Sequence, residues 1–169
     1  METDYQFFDH TADIGAHIHG ATLPELFSNA ARAMYAGMGR LVKAEHRSQE
    51  SGNRRRRTDD RRPMTEDRNA VTESARWAKS VRLEAPTIED LLHDWLAELL
   101  FEFAAHHLLF DGFAFDRLDE TSLVVTVRGG PIDLARSQPG AEIKAITYHQ
   151  LRVEQRPDGS WRATVIFDV

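Results

Sequence analysis

Residues 88 to 103 constrain the fold of this chain more than any other stretch. Ile88, Leu91, Leu92, Trp95, Leu96, Leu99, Leu100 and Phe103 keep the i, i+3, i+4, i+7 spacing of an amphipathic helix throughout. Pro86 and Thr87 precede it. Glu89, Asp90 and Asp94 suit the positive N-terminal end of its dipole, and His106 and His107 suit the other end. So broad an apolar stripe needs a partner layer, and this helix is expected to be the main cover of a sheet.

The rest of the chain offers the strands for that sheet. Tyr5 to Phe8 is a short aromatic run, and Ala16 to Gly20 alternates apolar with imidazole across His17 and His19. Two histidines two apart can chelate zinc, but they are also the ordinary solvent-facing positions of a half-buried strand. Between these runs, Asp9 to Gly15 reads as a turn. A second helix starts at Thr22-Leu23-Pro24-Glu25, with Thr22 as cap and Glu25 placed to close a capping box. Its apolar face is Leu23, Leu26, Phe27, Ala30, Met34 and Met38, and Gly37 and Gly39 end it. Further strands are expected at 79–85, 110–118, 122–128, 142–154 and 160–168, the fourth of these bending around Tyr148-His149-Gln150. Hairpin turns fall at Asp119-Glu120 and Pro157-Asp158-Gly159, while Gly129 to Pro131 opens a loop. Helices and strands are segregated and joined by hairpins. The fold class expected is α+β, a mainly antiparallel sheet covered by two helices.

One segment breaks this pattern. Residues 47–77 hold nine arginines and six carboxylates among Ser, Gly, Asn and Thr, with almost nothing apolar. Such a composition does not bury enough surface to offset its ordering entropy, so 47–77 is expected to be a disordered insertion within a single domain spanning 1–169. It also masks the charge of the remainder, which has 12 basic and 21 acidic groups. A folded part that acidic repels nucleic acid and suits a basic protein surface or a cation.

There are no cysteines, which excludes disulfides, thiolate zinc sites and cysteine nucleophiles. Any metal must be held by oxygen or imidazole. No apolar run approaches the roughly 18 residues of a membrane span, and the acidic start Met1-Glu2-Thr3-Asp4 is unlike a secretory signal. The expected location is the cytoplasm. No nucleophile elbow, phosphate loop or dinucleotide fingerprint occurs.

Three polar constellations remain. Asp9-His10-Thr11-Ala12-Asp13 is either an Asx-type turn or a source of hard oxygen ligands. Val165-Ile166-Phe167-Asp168-Val169 ends the sequence on an apolar strand with the Asp168 carboxylate beside a free α-carboxylate. It is either a frayed end or, if it pairs with the strand entering at Asp13, part of a Ca²⁺- or Mg²⁺-type site. Lys144 is one of three lysines against 18 arginines. It is either an ordinary strand lysine or a compact point charge kept for a purpose.

Together these phrases resemble the archease family. The matching stretches are His10 to Gly15, Gly20-Ala21-Thr22-Leu23 with its helix, Asp90 to Leu96, Ile143 to His149, and Val165 to Val169, in the family's order. The resemblance implies a fold of combined strand–helix–strand–strand units. It also implies an accessory protein of the RtcB-type RNA ligase, which seals tRNA halves in tRNA splicing. Such proteins promote transfer of guanylate from GTP to the ligase's catalytic histidine, allow multiple turnover, and are not themselves catalysts. RNA would be met indirectly, through the ligase, and no membrane is involved. Carried over by position, Asp13, Asp168 and the terminal carboxylate of Val169 would bind a divalent cation. Lys144 would contact the ligase, with His10 and His149 as supporting positions. Two features depart from the family: the arginine-rich stretch is longer and more basic than usual, and Arg136 is followed by Ser137 where an Arg-His pair is common. Two competing classes use the same residues differently. One is a stand-alone metal-dependent phosphohydrolase or nuclease built on the same carboxylates, and the other an adaptor whose arginine-rich loop grips RNA.

Overall fold

The structure, a computed structural model, describes residues 4–10, 13–44 and 77–169, and of His10 only the backbone. The expected disordered insertion therefore lies outside the described residues except for Trp77. That residue belongs to the fold, because its carbonyl accepts a hydrogen bond from the Gly129 amide (3.2 Å).

In chain order the elements are β1 (Tyr5–His10), β2 (Asp13–Gly20), α1 (Leu23–Gly37), β3 (Gly39–Arg40), β4 (Ala78–Glu84) and α2 (Ile88–His106). Then come β5 (Leu108–Leu118), β6 (Ser122–Pro131), β7 (Gln138–Pro139), β8 (Ala145–Gln155) and β9 (Trp161–Asp168). All strand pairs are antiparallel. They form a four-stranded sheet ordered β1-β2-β9-β8, a three-stranded sheet β4-β6-β5 and a short β3-β7 pair. The α+β expectation, with two helices against antiparallel sheet, holds.

Both helices touch strands of both larger sheets. The core is therefore continuous from Ala16, Ile18, Val165 and Phe167 on one sheet to Leu123, Val125 and Val127 on the other. The two helices begin alike. Thr22 accepts from the Glu25 amide and Thr87 from the Asp90 amide, each satisfying one of the free N–H groups of a first turn. Glu25 reaches back to the Ala21 amide (2.9 Å), one residue before the cap. The apolar stripe of α2 is buried as its spacing demands, with Leu91, Leu92, Trp95, Leu96 and Leu99 wholly inaccessible.

Three local expectations need correction. Asp9 to Gly15 is not one long turn: β1 runs on through His10 and β2 begins at Asp13, with Asp9 paired to Ile14. Gly129 to Pro131 is not loop but the end of β6, paired with Leu108 to Phe110. A Cβ at Gly129 would lie 2.0 Å from the Leu109 carbonyl, so glycine here permits a close strand approach rather than a turn. The fourth expected strand starts at Ala145, three residues later than its alternation suggests. It does bend where expected.

Candidate functional site

The four-stranded sheet gathers the sequence-predicted residues at one end. His10 pairs with Asp13 across β1 and β2, and Ala145 pairs with Asp168 across β8 and β9. Between them, β2 and β9 hold the register Ile14 to Phe167. One step further along both strands sets Asp13 beside Asp168. The Lys144 amide, just ahead of β8, donates to the Asp168 carbonyl (2.8 Å). His10, Asp13 and Asp168 thus come from three strands onto the last row of one sheet, with Lys144 one residue beyond it.

Side-chain alternation decides which way that row points. Ala16, Ile18, Val165 and Phe167 face the helices and are buried. Asp13 and Asp168 are out of phase with them, so they stand on the opposite face, each half-buried. Directly opposed residues of an antiparallel pair have Cβ atoms about 4.5–5.5 Å apart. Two carboxylates at that separation repel unless a cation or a donor joins them. Val169 follows, half-buried against the core rather than splayed into solvent.

Lys144 is exposed. The other two lysines are committed: Lys43 to Asp111 (2.5 Å), and Lys79 to Glu98 (2.5 Å) and Glu102. Among the described residues Lys144 has no ion pair. His149 is not brought into this row. It sits four residues along β8 from Ala145, exposed, with its Nε2 3.3 Å from the side-chain Nε2 of Gln150.

The next row on the same face, two residues along each strand, is closely packed. Phe8 lies over Gly15, where a Cβ would come within 2.2 Å of the Phe8 ring, and it stacks on His17 at 4.6 Å. His17 is further engaged by the Thr164 hydroxyl (3.2 Å). Burial first, then the positive charge of Arg162, holds its imidazole below the usual range. On the same row Ile166 is buried, and the Thr147 hydroxyl is buried without a hydrogen-bond partner. Only the register lays Phe8 over Gly15 and sets Thr147 in the same row, two strands further on.

The donor chemistry suits a hard cation, since Asp13 and Asp168 supply oxygen alone. Among the described residues, no three His, Asp or Glu side chains gather closely enough to hold an ion by themselves. Two aspartates fall short of the roughly six oxygens that Ca²⁺ or Mg²⁺ takes. A site here would need the α-carboxylate of Val169 and water to complete it.

The Archease protein family (MTH1598/TM1083) matches this chain over residues 5–61 and 62–169, the row just described included. The chain belongs to the archease family. Among archeases, that of Methanosarcina barkeri is 31% identical over 169 residues, covering 98% of this chain and 95% of the relative. The archease of Methanosarcina acetivorans is 32% identical with the same coverage. The solution structure of Methanobacterium thermoautotrophicum protein 1598 superposes with a TM-score of 0.63 at 26% identity, covering 98% of this chain and 99% of the other. A Thermotoga maritima crystal structure, described as an archease and possible chaperone, shares the fold with a TM-score of 0.58 at 23% identity, covering 96% and 94%. Among the described residues, no helix of this archease is long and apolar enough to cross a membrane.

Proposed function

We propose that this chain is a cytoplasmic accessory protein of an RtcB-type RNA ligase in tRNA splicing. It promotes guanylylation of the ligase and thereby multiple turnover, and does no chemistry of its own. Family membership supports the general role. The observation that supports the specific one is the end row of the four-stranded sheet. There two carboxylates oppose each other and an exposed lysine is tethered to one of them through the backbone.

In this proposal Asp13, Asp168 and the α-carboxylate of Val169 hold a divalent cation of the Ca²⁺ or Mg²⁺ type. Such an ion supplies positive charge to phosphate oxygens when bound. Lys144 supplies a second positive charge, as a compact ammonium on a long stem that reaches away from the sheet. Its amide bond to Asp168 fixes where that stem starts. Positive groups placed beforehand against a triphosphate stabilise the charge that develops on the departing pyrophosphate. His10 and His149 flank the contact with the ligase.

The test is a multiple-turnover ligation assay of an RtcB-type ligase with and without this protein. Asp13→Ala and Lys144→Ala are expected to fold yet leave the ligase near single turnover. Stimulation by both variants at the parent level would overturn the mechanism. Hydrolysis of RNA or nucleoside triphosphate by the purified protein alone with Mg²⁺ or Mn²⁺ would favour the stand-alone enzyme instead.

A further inference from the structure

We propose that the outward face of Tyr148, beside Asp90 and Asp94, is a notch that receives an arginine side chain from the basic surface of a protein partner. This deepens the accessory-protein reading and rests on it for the partner's identity, but not for the chemistry of the notch.

Tyr148 is 57% exposed, unusual for a large ring on a sheet, and the backbone puts it there. Four residues of the edge strand β8, Tyr148 to Leu151, stand against the single residue Val165 of β9. Within this bulge Gln150 takes a left-handed conformation, φ 55°, which a non-glycine residue rarely adopts. Bulges re-aim side chains. This one turns Tyr148 onto α2, where its ring stacks on His93 with centroids 4.1 Å apart and planes 16° from parallel.

His93 is a fixed base for that stack. Its Nδ1 lies 3.0 Å from an Asp94 carboxylate oxygen and its Nε2 3.2 Å from the Ile146 carbonyl. One face of Tyr148 is therefore covered by an immobilised ring, and the other is open. The open ring has acidic neighbours. Burial, then the charges of Asp90 and Asp94, push the Tyr148 hydroxyl above its usual range. The two aspartates are four apart on α2, hence about 5–6 Å between Cβ atoms on one helix face.

An exposed aromatic face flanked by carboxylates selects a planar cation. A guanidinium stacks on the ring and donates to carboxylate oxygens through its fork of N–H groups, which an ammonium does less well. A nucleotide is disfavoured, because its phosphates would meet Asp90 and Asp94. Lys144, just ahead of β8, is four residues away, about 13 Å at the rise of a strand. It lies beyond a physiological Debye length of about 8 Å. The wider surface agrees, since outside residues 47–77 the chain has 21 acidic groups against 12 basic.

The experiment titrates the full chain with a synthetic peptide of alternating arginine and glycine, following the ring resonances of Tyr148 and His93 by NMR. Lysine–glycine and glutamate–glycine peptides serve as controls. Saturating shifts are expected with arginine, several-fold weaker binding with lysine, and none with glutamate. Asp90→Asn with Asp94→Asn, which removes both ion pairs and leaves the ring, should weaken arginine binding about tenfold. Tyr148→Phe should keep it. Unmoved rings, or equal response to all three peptides, would overturn the notch. So would a response seen only after residues 47–76 are removed, which would make the chain's own arginines the occupant. In parallel, Tyr148→Ala should weaken binding to an RtcB-type ligase, and parent-level binding would also overturn the notch. If the parent chain neither binds nor stimulates the ligase, the accessory role falls while the peptide titration still decides the notch.

Discussion

Glu102 is the one carboxylate buried to 7% exposure among the described residues, and its partners tie the C-terminal half of α2 to β4. Lys79 of β4 donates to it, and His106 Nδ1 lies 3.2 Å from its other oxygen. The Lys79 bond holds the Glu102 carboxyl below its usual range, against the opposing effect of burial. For Lys79 itself burial pulls the ammonium down, but the bonds to Glu102 and Glu98 raise it further. A depressed carboxyl stabilises the fold above its unfolded pKa of about 4.3 and loses that contribution as pH falls through the lower folded value. Lys79→Met is expected to cost about 1–3 kcal/mol at neutral pH, the penalty of a poorly satisfied buried group. The gap between variant and parent should shrink in acid. Urea denaturation at pH 7 and pH 3 measures both, and equal midpoints at pH 7 would refute the coupling. In sequence Lys79 and Lys144 both fall in stretches expected to be strands, with nothing local to say which is paired. Only the fold pairs one and leaves the other exposed, because partners 19 and 23 residues away are set by how α2 lies across β4.

At the level of elements, the apolar spacing of α2 placed Trp95 correctly in the core but could not say what its indole would bond. The ring is buried between Phe113 and Phe115, and its Nε1 donates to the Phe27 carbonyl of α1 (3.0 Å). That carbonyl is in mid-helix, so the bond fixes α1 and α2 to each other as well as to the sheet. Trp95→Phe keeps most of the apolar volume but removes the donor and leaves a gap. A loss of about 1–3 kcal/mol is expected, read as a lower melting temperature with unchanged far-ultraviolet dichroism. An unchanged melting temperature would show that the helices are held by apolar packing alone. Two of the three strand corrections share one cause. Glycines at 129 and 130 and the polar residues Asp9, His10 and Asp13 carry turn signals, yet a ladder takes up the same residues where strands approach closely. The bend at Tyr148 was legible, but not that it would stack on a helix.

For the whole molecule, the proposed site and the arginine-rich stretch make separable predictions. Deleting residues 47–76, which spares Trp77, should leave stimulation of an RtcB-type ligase nearly intact. Abolished stimulation would favour an adaptor that grips RNA through its arginines. A tag fused directly after Val169 should weaken binding of a divalent cation by calorimetry, whereas the same tag before Met1 should not. Equal affinities would remove Val169 from the ligand set.

The sequence by itself determined the fold class, both helices with their caps, most of the strands and the family. Each of these is written in local periodicity or in short contiguous phrases, which need no knowledge of the far end of the chain. Tertiary structure alone decided that Asp13 and Asp168, 155 positions apart, share one row of a sheet. It also decided that Lys144 is tethered beside them, and that Tyr148 turns away from that row onto α2. Such placements follow from strand order and register, and a shift of one residue would carry every one of these side chains to the opposite face.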